Sequence, residues 1–572
     1  MRSPKPSRPA GRGERVTAPP STSTNGSPTT TRARLARLGL STLAAALLWL
    51  SVPTANAWPL MWIALVPQLH VALTSRTAKR AFLQGWLTGT LANTAAFSWM
   101  DGLLERFGHM SPLQALPIVL LLTSYQGLEF ALLSWGVYRL RARTGTRLPV
   151  AVAAMLVMAT IELAMPQIFP FYLAISQAWV PALIQIADVT GPIGVTALLM
   201  AWNGALLDAW LGARAGRGRA ALRPLAVVAL FVAADLAYGA ARVHKVDAAR
   251  AAAPKVKTGL VQANVGIIEK WDPKEFAKLL DTHQRLSAEL TRAGAELIVW
   301  PESSYPYALP RPFLHDWPAG DPRRVRVGFD TPLLFGALTR TEGPLQRPAD
   351  KYPYNTALMM DGAGSVTGVY DKVFLMIFGE YIPFYDAIPW FTEVIPEASN
   401  FSRGTEPGSF SLHLRGRDFK LGPLICYEDI LPTYTRRVAR LSPSALVNIT
   451  NDAWFGRTAE PYQHLALSVF RAVENRLELV RAVNTGVSAH IDAAGRVLAR
   501  TDSVDPALTP AAAPATLLVD FALLDGGGLY RHVGDLFAFL CAAALAAMFL
   551  KPPTAPVSAA GRRGTRTADA PL

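Results

Sequence analysis

Charged residues and cysteines are both scarce in this sequence. Only 17% of the 572 residues are charged, whereas about a quarter are charged in a typical soluble domain, so the chain is not expected to be soluble throughout. The two cysteines are Cys426 and Cys541, and the second lies inside an apolar run at 533–550. Because a thiol inside such a run is poorly placed to pair with one in a polar segment, we expect no disulfide and a free thiol at Cys426.

Several common catalytic motifs are also missing. The chain has no HExxH zinc motif, no P-loop and no G-x-S-x-G motif, so the chemistry that depends on those motifs has no support. The glycine-rich stretch 362–368 has the wrong spacing for a dinucleotide-binding loop, and we interpret it as a turn between strands. We therefore predict no metal site and no cofactor.

What the sequence has instead is a series of long apolar runs. A helix needs about 20 apolar residues to cross the core of a bilayer, which is about 30 Å thick. The candidate spans, eight in number, are 35–52, 57–73, 81–100, 112–137, 148–165, 183–211, 224–240 and 533–550. We predict a polytopic α-helical membrane domain of about seven helices at 34–245, and one further membrane helix at 532–551.

The basic residues of the chain are concentrated between these runs. A net charge of +14 would suggest a nucleic-acid partner in a soluble protein. Three short loops at 74–80, 139–147 and 212–223, however, carry basic residues and no acidic ones, which is typical of the cytoplasmic side of a membrane. With a cytoplasmic amino terminus, eight spans place all three loops in the cytoplasm. We accordingly predict a membrane protein with both termini cytoplasmic and no nucleic-acid partner.

Both ends of the chain are predicted to be disordered tails. Residues 1–33 are rich in Ser, Thr, Pro and Arg, with almost no large apolar residue, so they cannot bury enough surface to fold. Residues 552–572 are given the same interpretation. An alternative is that 1–57 form a cleaved signal peptide, because Ala55-Asn56-Ala57 follows an apolar region like a cleavage site. Removing that span would invert every later loop against the charge pattern.

The segment between the seventh and eighth apolar runs has an ordinary globular composition. Short apolar or β-branched runs bounded by turns are typical of strands. Those found here are 256–264, 296–300, 333–338, 355–360, 420–426, 445–450, 479–483 and 517–521. Helical periodicity occurs at 273–293 and at 461–479. We predict an α/β domain at 255–525, outside the membrane on the side reached after seven spans.

Three ionisable residues stand at the ends of predicted strands, namely Glu302, Lys372 and Cys426. Strand ends of α/β domains converge on one edge, where ligands usually bind. A thiol reacts as its thiolate, a carboxylate can take the proton, and an ammonium stabilises negative charge on the thiolate and on an oxyanion. Taken singly, a strand-end Glu or Lys is more often a solvated charge, and a lone Cys a small buried apolar residue. Together the three predict an enzyme with a cysteine nucleophile.

Four motifs surround these residues. They are Trp-Pro-Glu-Ser at 300–303, Phe-Gly-Glu-Tyr at 378–381, Ile-Cys-Tyr-Glu at 425–428 and Asn-Asp-Ala-Trp-Phe-Gly at 451–456. Further motifs lie at 58–67, 169–170, 463–464 and 481–486. In these motifs, over about residues 35–550, the sequence resembles the apolipoprotein N-acyltransferase family of the nitrilase superfamily. The resemblance implies that the α/β domain is a nitrilase-like αββα sandwich.

The resemblance also implies a role for each residue that matches a family motif. Glu302 would be the general base, Lys372 the stabiliser of the oxyanion, and Cys426 the nucleophile that carries the acyl group. The residues expected to position or polarise the site, or to lie near the substrate, are Trp271, Glu380, Tyr427 and Glu428. Matches without an assigned part in the chemistry are Gln262, Asn355 and His464, the last of which we interpret as structural.

For activity, the resemblance implies a ping-pong transfer without a cofactor. Cys426 would take an acyl chain from a membrane phospholipid as a thioester. The α-amino group of a diacylglyceryl-cysteine, at the start of an apolipoprotein, would then accept that chain. The implied location is the inner membrane of a bacterium, with the nitrilase-like domain in the periplasm.

Two other functions stay open at the level of sequence. A membrane-tethered amidase of the nitrilase type would use the same three residues but give the acyl group to water. A non-catalytic binding module on a membrane anchor would form no acyl-enzyme at all.

The stretch 374–391 stands out because it holds seven aromatic residues in eighteen. Aromatic side chains are common in ordinary cores, and they are also enriched at the interface of a bilayer. We interpret the stretch as a lid that dips into lipid between Lys372 and the strand that precedes Cys426.

Overall fold

The computed structural model describes residues 28–53, 55–144, 147–343, 348–381, 400–501 and 513–551. Within them a helical domain comes first, an α/β domain follows, and a helix ends the described chain. Residues 28–33 of the predicted amino-terminal tail belong to the first helix. The rest of that tail and the tail at 552–572 lie outside the described residues.

The helical domain is built from helices of very different lengths. They are α1 (Pro28–Ser51), α2 (Val66–Thr74), α3 (Ala78–Ala96), α4 (Trp99–Phe107), α5 (Pro112–Thr144), α6 (Val150–Ala164), α7 (Pro181–Ile184), α8 (Ala187–Thr190), α9 (Pro192–Arg214) and α10 (Arg223–Ala252). A 3₁₀ turn at Trp58–Trp62 precedes α2.

By length and composition, four helical segments of the described chain could cross a bilayer, namely 31–51, 112–144, 192–214 and 218–252. Three shorter apolar segments are 58–74, 150–164 and 536–550. Each predicted span overlaps a helix, with α3 covering most of 81–100. The structure therefore supports a helical domain with four candidate membrane spans among the described residues, which is coarser than the eight spans that the sequence predicts.

Glycine lets α3 and α5 approach closely enough for backbone contact. A Cβ atom added to Gly85 would lie 2.2 Å from the carbonyl oxygen of Phe130, and one added to Gly89 would lie 2.5 Å from that of Gly127. Small residues at such crossings are a common way to pack helices where no hydrophobic effect drives them together.

The α/β domain and the carboxyl-terminal segment contain thirteen strands among the described residues. These are β1 (Lys255–Gln262), β2 (Leu297–Val299), β3 (Tyr305–Arg311), β4 (Leu333–Thr341), β5 (Tyr354–Met360), β6 (Val366–Asp371), β7 (Phe410–Leu414), β8 (Arg417–Ile425), β9 (Ala445–Thr450), β10 (Leu479–Val483), β11 (Ala489–Ile491), β12 (Val497–Arg500) and β13 (Ala515–Ala522). The helices are α11 (Ile267–Trp271), α12 (Phe276–Arg292), α13 (Pro432–Ala439), α14 (Glu460–Asn475), α15 (Tyr530–Val533) and α16 (Leu536–Leu550).

The strands form two sheets that pack face to face. One has the order β13-β1-β2-β4-β5-β6, with β3 beside β4, and the other has the order β12-β11-β10-β9-β8-β7. Alternate residues of each strand point to opposite faces: Leu297 and Val299 pack toward the second sheet, whereas Ile298 and Trp300 pack under α12. With α13 and α14 on the far side of the second sheet, the layers are those of an αββα sandwich.

The eight strands and two helices that the sequence predicts for this domain are all present. The turn predicted at 362–368 joins β5 to β6, although its last residues belong to β6. Strands that the sequence did not predict include β3 and β7. Two prolines interrupt β3, and alternate residues of β7 are exposed, so neither has the continuous apolar run of a buried strand.

Gly336 places β4 directly against the turn that carries Glu302. A Cβ atom at this position would lie 2.5 Å from the backbone nitrogen of Ser303 and 2.7 Å from the Cα atom of Glu302. The backbone nitrogen of Gly336 also donates to the carbonyl of Pro301, at 3.2 Å.

We expect Gly336→Ala to destabilise the α/β domain by about 1–3 kcal/mol, because an added methyl group would force the turn that follows β2 away from β4. Thermal unfolding of the detergent-solubilised chain measures the change. Gly527→Ala is the control, since the nearest atom to an added Cβ lies 3.5 Å away on the Arg476 side chain. Equal unfolding midpoints for Gly336→Ala and Gly527→Ala would contradict the close contact between Gly336 and the turn that carries Glu302.

Candidate functional site

The predicted strand-end residues meet at one edge of the sandwich. Glu302 follows β2 and Lys372 follows β6, and the Lys372 ammonium lies 3.2 Å from Oε1 of Glu302. A second carboxylate-bearing residue, Glu380, lies 2.8 Å from the same ammonium. Lys372 is 1% exposed, so this is a buried ammonium shared by two carboxylates.

Asn355 on β5 completes this cluster. Its side-chain nitrogen donates to Oε1 of Glu302 at 2.7 Å and to Oε1 of Glu380 at 2.9 Å, while the backbone nitrogen of Met376 donates to the other Glu380 oxygen at 2.8 Å. Burial lowers the pKa of Lys372, but the two carboxylates outweigh burial and hold that pKa well above its ordinary value. Lys372 is therefore a permanent cation.

Cys426 lies at the point where β8 ends and a 3₁₀ turn, Cys426–Ile430, begins. Its φ is +50°, a left-handed conformation that is uncommon for a residue other than glycine and that clusters at functional sites. The thiol is free and the residue is 9% exposed. Burial raises the pKa of the thiol well above its ordinary value, and the Glu302 carboxylate raises it further, whereas the Lys372 ammonium lowers it. The charges of the cluster thus act directly on the thiol.

Glu428 joins the cysteine turn to the segment after Lys372. Its carboxylate accepts hydrogen bonds from the backbone nitrogens of Ile425 at 2.9 Å, Val373 at 2.7 Å and Phe374 at 3.1 Å. The Tyr370 hydroxyl donates a fourth, at 2.6 Å. Burial raises the pKa of Glu428 to about 7 in spite of these donors. One side chain therefore fixes the position of Cys426 relative to Lys372.

A second buried lysine, Lys270, was not singled out from the sequence. It lies on α11, is 6% exposed, and donates to the backbone carbonyl of Glu302 at 2.9 Å. Burial lowers its pKa to about 8, although the charges of Glu302 and Cys426 act to raise it. A lysine in a short amphipathic segment gives no sequence signal that distinguishes a buried ammonium from a solvated one.

The other predicted residues lie around this cluster rather than in it. Trp271 ends α11 with 43% of its surface exposed. The Tyr427 hydroxyl donates to the carbonyl of Ile168 in the helical domain, at 2.9 Å. Gln262 accepts hydrogen bonds from Ser488 and Thr501, both at 2.7 Å, and so links β1 to the second sheet.

His464 lies behind the cysteine turn, in a buried network of charges. Its Nε2 is 2.7 Å from Asp429 and its Nδ1 is 3.3 Å from Asp452, and the Arg481 guanidinium is 3.2 Å from Asp429. Burial and Arg481 lower the pKa of His464, but the two aspartates outweigh them and raise it to about 10. The network holds the turn that begins at Cys426 against the loop that contains Asp452.

Among the described residues, one group has the donor atoms and the spacing to hold a metal ion, namely Asp452, Glu460 and His464. The Nδ1 atom of that histidine is 3.3 Å from Asp452 and 3.7 Å from Glu460, and its Nε2 atom is 2.7 Å from Asp429, so the three residues belong to the charge network around His464.

The helical domain contributes contacts that hold α14 in place. The side chain of Gln463 donates to the carbonyls of Ala96, at 2.9 Å, and Pro53, at 3.2 Å, and accepts from the indole of Trp99, at 3.1 Å. Trp99 also packs edge to face on Phe455, with ring centroids 5.1 Å apart. The loop that contains Phe455, beside the site, therefore packs on the helical domain.

The charge of His464 predicts a pH-dependent stability. Its folded-state pKa of about 10 lies above the ordinary value of 6.5, so its contribution is complete below about pH 6.5 and is lost as the pH rises through 10. His464→Gln should cost about 3–5 kcal/mol at pH 7, because it leaves the buried Asp429 and Asp452 with Arg481 as their one remaining cation. Thermal unfolding at several pH values should show the gap between variant and wild type narrowing toward pH 10.

The control for that series is His413→Gln, because the side chain of His413 is 70% exposed. Its unfolding midpoint should follow the wild type at every pH. A constant difference in unfolding midpoint between wild type and His464→Gln from pH 6 to 10 would rule out a protonated His464 in this network.

Comparisons with known proteins divide the chain in the same way as the fold. The profile of a family described as Apolipoprotein N-acyltransferase N-terminal domain matches residues 44–205, and one described as Carbon-nitrogen hydrolase matches residues 257–511. Among solved structures, the amidase from Nesterenkonia sp. AN1 aligns with 50% of this chain and 99% of its own, at 21% identity and a TM-score of 0.34.

Curated relatives match nearly the whole length. An apolipoprotein N-acyltransferase from Geobacter metallireducens is 32% identical, over 89% of this chain and 93% of its own. One from Bdellovibrio bacteriovorus is 29% identical, over 78% of this chain and 82% of its own. The expectation drawn from the sequence motifs is confirmed: the chain is an acyltransferase that belongs to the apolipoprotein N-acyltransferase family.

Proposed function

We propose that this protein moves an acyl chain from a membrane phospholipid, through a thioester on Cys426, to the α-amino group of a diacylglyceryl-cysteine at the start of an apolipoprotein. Lipoproteins that carry this residue and phospholipids are thus its proposed partners. Relatives that bear the name apolipoprotein N-acyltransferase support lipoprotein acylation in general. The donor, the intermediate and the roles of single residues are part of the proposal.

The observation that carries the proposal is the arrangement of charges around one buried thiol. Glu302 is positioned by Asn355 and Lys372 at 2.7 and 3.2 Å, and both Glu302 and Lys372 act on the pKa of Cys426. A nucleophilic thiol needs a base for its proton and a cation beside the developing oxyanion. Glu302 is proposed as that base and Lys372 as that cation.

In the first half of the reaction, the sulfur of Cys426 attacks the ester carbonyl of the phospholipid while Glu302 takes the thiol proton. The tetrahedral intermediate then collapses to a thioester, and the proton on Glu302 goes to the departing lysophospholipid oxygen. Glu380 keeps Lys372 in place through a contact of 2.8 Å. Glu428 holds the cysteine turn through its hydrogen bond to Ile425.

In the second half, the amine of the acceptor attacks the thioester, and Glu302 takes one of its protons. The thiol of Cys426 is restored when that proton returns to the sulfur. An amine attacks a thioester readily, so the same two residues serve both halves. Trp271 and Tyr427 are proposed to lie near the substrates, the first because it is half-exposed beside the site and the second because it contacts the helical domain.

Both substrates carry acyl chains, so the nucleophile must face the membrane surface. We propose eight spans, a membrane domain at 34–245, a catalytic domain at 255–525 and a last span at 532–551, with cytoplasmic tails at 1–33 and 552–572. The acid-free basic loops support this orientation. It places the site on the periplasmic face of the inner membrane of a bacterium.

Hydrolysis is the second candidate function, because the Carbon-nitrogen hydrolase profile spans the α/β domain. An amidase on this scaffold would form the same acyl-enzyme and then transfer the acyl group to water. Only an acyltransferase makes an amide-linked product from a diacylated lipopeptide.

The test is to trap the thioester. Purified full-length protein exposed to phospholipid with labelled acyl chains should carry a hydroxylamine-sensitive acyl group on the Cys426 peptide, measured by mass spectrometry. Cys426→Ala should carry none, and Glu302→Gln should form it about 10²–10⁴-fold more slowly, the usual contribution of a general base. Adding a diacylated lipopeptide should discharge the wild-type adduct into an amide.

The matched control is Glu406→Gln, because Glu406 is an exposed carboxylate of the same domain. Its rate of thioester formation should equal that of the wild type. An acyl adduct that survives in Cys426→Ala would disprove the proposed nucleophile, and free fatty acid as the only product with lipopeptide present would favour the amidase.

The predicted lid at 374–391 is described only as far as Tyr381, so Trp390 and its neighbours lie outside the described residues. Phe374 packs on Tyr434 with ring centroids 5.0 Å apart, which is a core contact. Phe378 is 41% exposed and has a φ of +65°, so we propose that it is the lid residue, within 374–381, that meets lipid.

We expect Phe378→Ser, alone and combined with Trp390→Ser, to lower turnover of phospholipid in bilayers while leaving acylation by a short water-soluble ester unchanged. The physical reason is that lipid contact would be lost but the buried charges would not. Leu518→Ser, at a residue 39% exposed on β13, is the control. Unchanged phospholipid turnover in the double variant would rule out the lid.

A further inference from the structure

The buried ammonium of Lys270 takes no part in the two proposed halves of the reaction. Its nitrogen donates to the carbonyl of Glu302 at 2.9 Å and lies 5.7 Å from the centroid of the Trp271 ring. The residue is 6% exposed, whereas its neighbours on the same short helix, Ile268 and Trp271, are 82% and 43% exposed. The helix thus buries its lysine and exposes its apolar residues, the reverse of what solvation favours.

Burying an ammonium is costly unless a nearby negative charge compensates it. No carboxylate of the described residues forms an ion pair with Lys270 within 4.0 Å, and its ammonium donates to a neutral carbonyl. The negative charge that acts on it comes from Glu302 and from Cys426. The ammonium of Lys270 therefore interacts electrostatically with both groups of the proposed proton transfer, Cys426 and Glu302.

Lys270 adds a second buried ammonium to the site. Glu302 and Glu380 contribute two negative charges, and Lys372 supplies one positive charge. Lys270 supplies the second. Moving a proton from the Cys426 thiol to Glu302 shifts negative charge from the carboxylate to the sulfur. The ammonium of Lys270 interacts with both groups, so its loss would make an ionised thiol in this buried site less favourable.

We propose that Lys270 is a positioning residue for the Cys426–Glu302 pair: its ammonium holds the Glu302 main chain and supplies the second positive charge that lets the thiolate form. This inference rests on the proposed function and deepens it. In the step concerned the S–H bond of Cys426 breaks and an O–H bond on Glu302 forms, with no other reactant.

The groups that face Lys270 come from three elements. Glu302 follows β2, Cys426 follows β8, and His283 belongs to α12, where the charge of Lys270 helps to lower the imidazole pKa to about 4. Because the pKa of His283 lies near 4, its ring is neutral above about pH 5 and does not compete as a cation. Lys270 itself has a pKa of about 8, so its charge is present at neutral pH and is lost above that value.

The experiment measures how the alkylation rate of Cys426 depends on pH. Full-length protein in detergent is treated with iodoacetamide, and the modified Cys426 peptide is quantified by mass spectrometry. In Lys270→Met the pH midpoint of the rate should rise by about one unit, a tenfold lower rate at pH 7, because a nearby ammonium lowers the pKa of an anion by about that much or more. Lys270→Arg should restore most of the alkylation rate of Cys426, and this rate should be maintained above pH 8.

Lys274→Met is the matched control, because it removes the same charge from an exposed position four residues away. It should leave the profile unchanged. If Lys270→Met does not fold, as judged by thermal unfolding, Lys270→Gln removes the charge while keeping a polar side chain and carries the same expectation.

The outcomes separate this inference from the proposed function. A Lys270→Met or Lys270→Gln profile that coincides with that of the wild type overturns the role of Lys270, even if phospholipid still forms a thioester on wild-type Cys426. Failure of the wild type to form that thioester overturns the proposed function, whatever the alkylation profiles show.

Discussion

One buried ammonium organises the site, and much of the domain is arranged to keep it there. Lys372 is 1% exposed and lies 2.8–3.2 Å from two carboxylates. Such a cation is tolerated in a dry environment only when its partners are close and their remaining oxygens are also bonded. Asn355 donates to the Oε1 atoms of both glutamates, and the backbone nitrogen of Met376 donates to the other oxygen of Glu380, so that Glu302, Lys372 and Glu380 have little freedom to move separately.

Cys426 follows a strand of the second sheet, whereas Glu302 and Lys372 follow strands of the first. Glu428 is hydrogen-bonded to both parts. It bonds both to the end of β8 and to the segment after Lys372, so the distance between nucleophile and cation depends on a single carboxylate. Behind the same turn, the protonated His464 and its aspartates resist displacement. The left-handed φ of Cys426 is a strain that such surroundings can maintain.

The helical domain supports the site as well as anchoring it. Gln463 is bonded to backbone of that domain, Tyr427 donates to Ile168, and Arg476 pairs with Asp188 at 2.7 Å. These contacts bury polar groups that would otherwise be left without partners. They also fix the position of the cysteine turn and of α14 relative to the helical domain.

The sequence by itself determined the division into an apolar helical part and an α/β part, eight of the strands of the latter, and three reactive residues at strand ends, because periodicity and strand boundaries are local properties. It did not determine strands such as β3 and β7, whose apolar pattern is weak, or how many helices cross the membrane. Tertiary structure alone decided that Asn355 and Glu428 tie the cluster together and that Lys270 points inward rather than into solvent. The reason is that hydrogen bonds and charge burial join residues 50 to 260 positions apart, and no local pattern of residues encodes such distances.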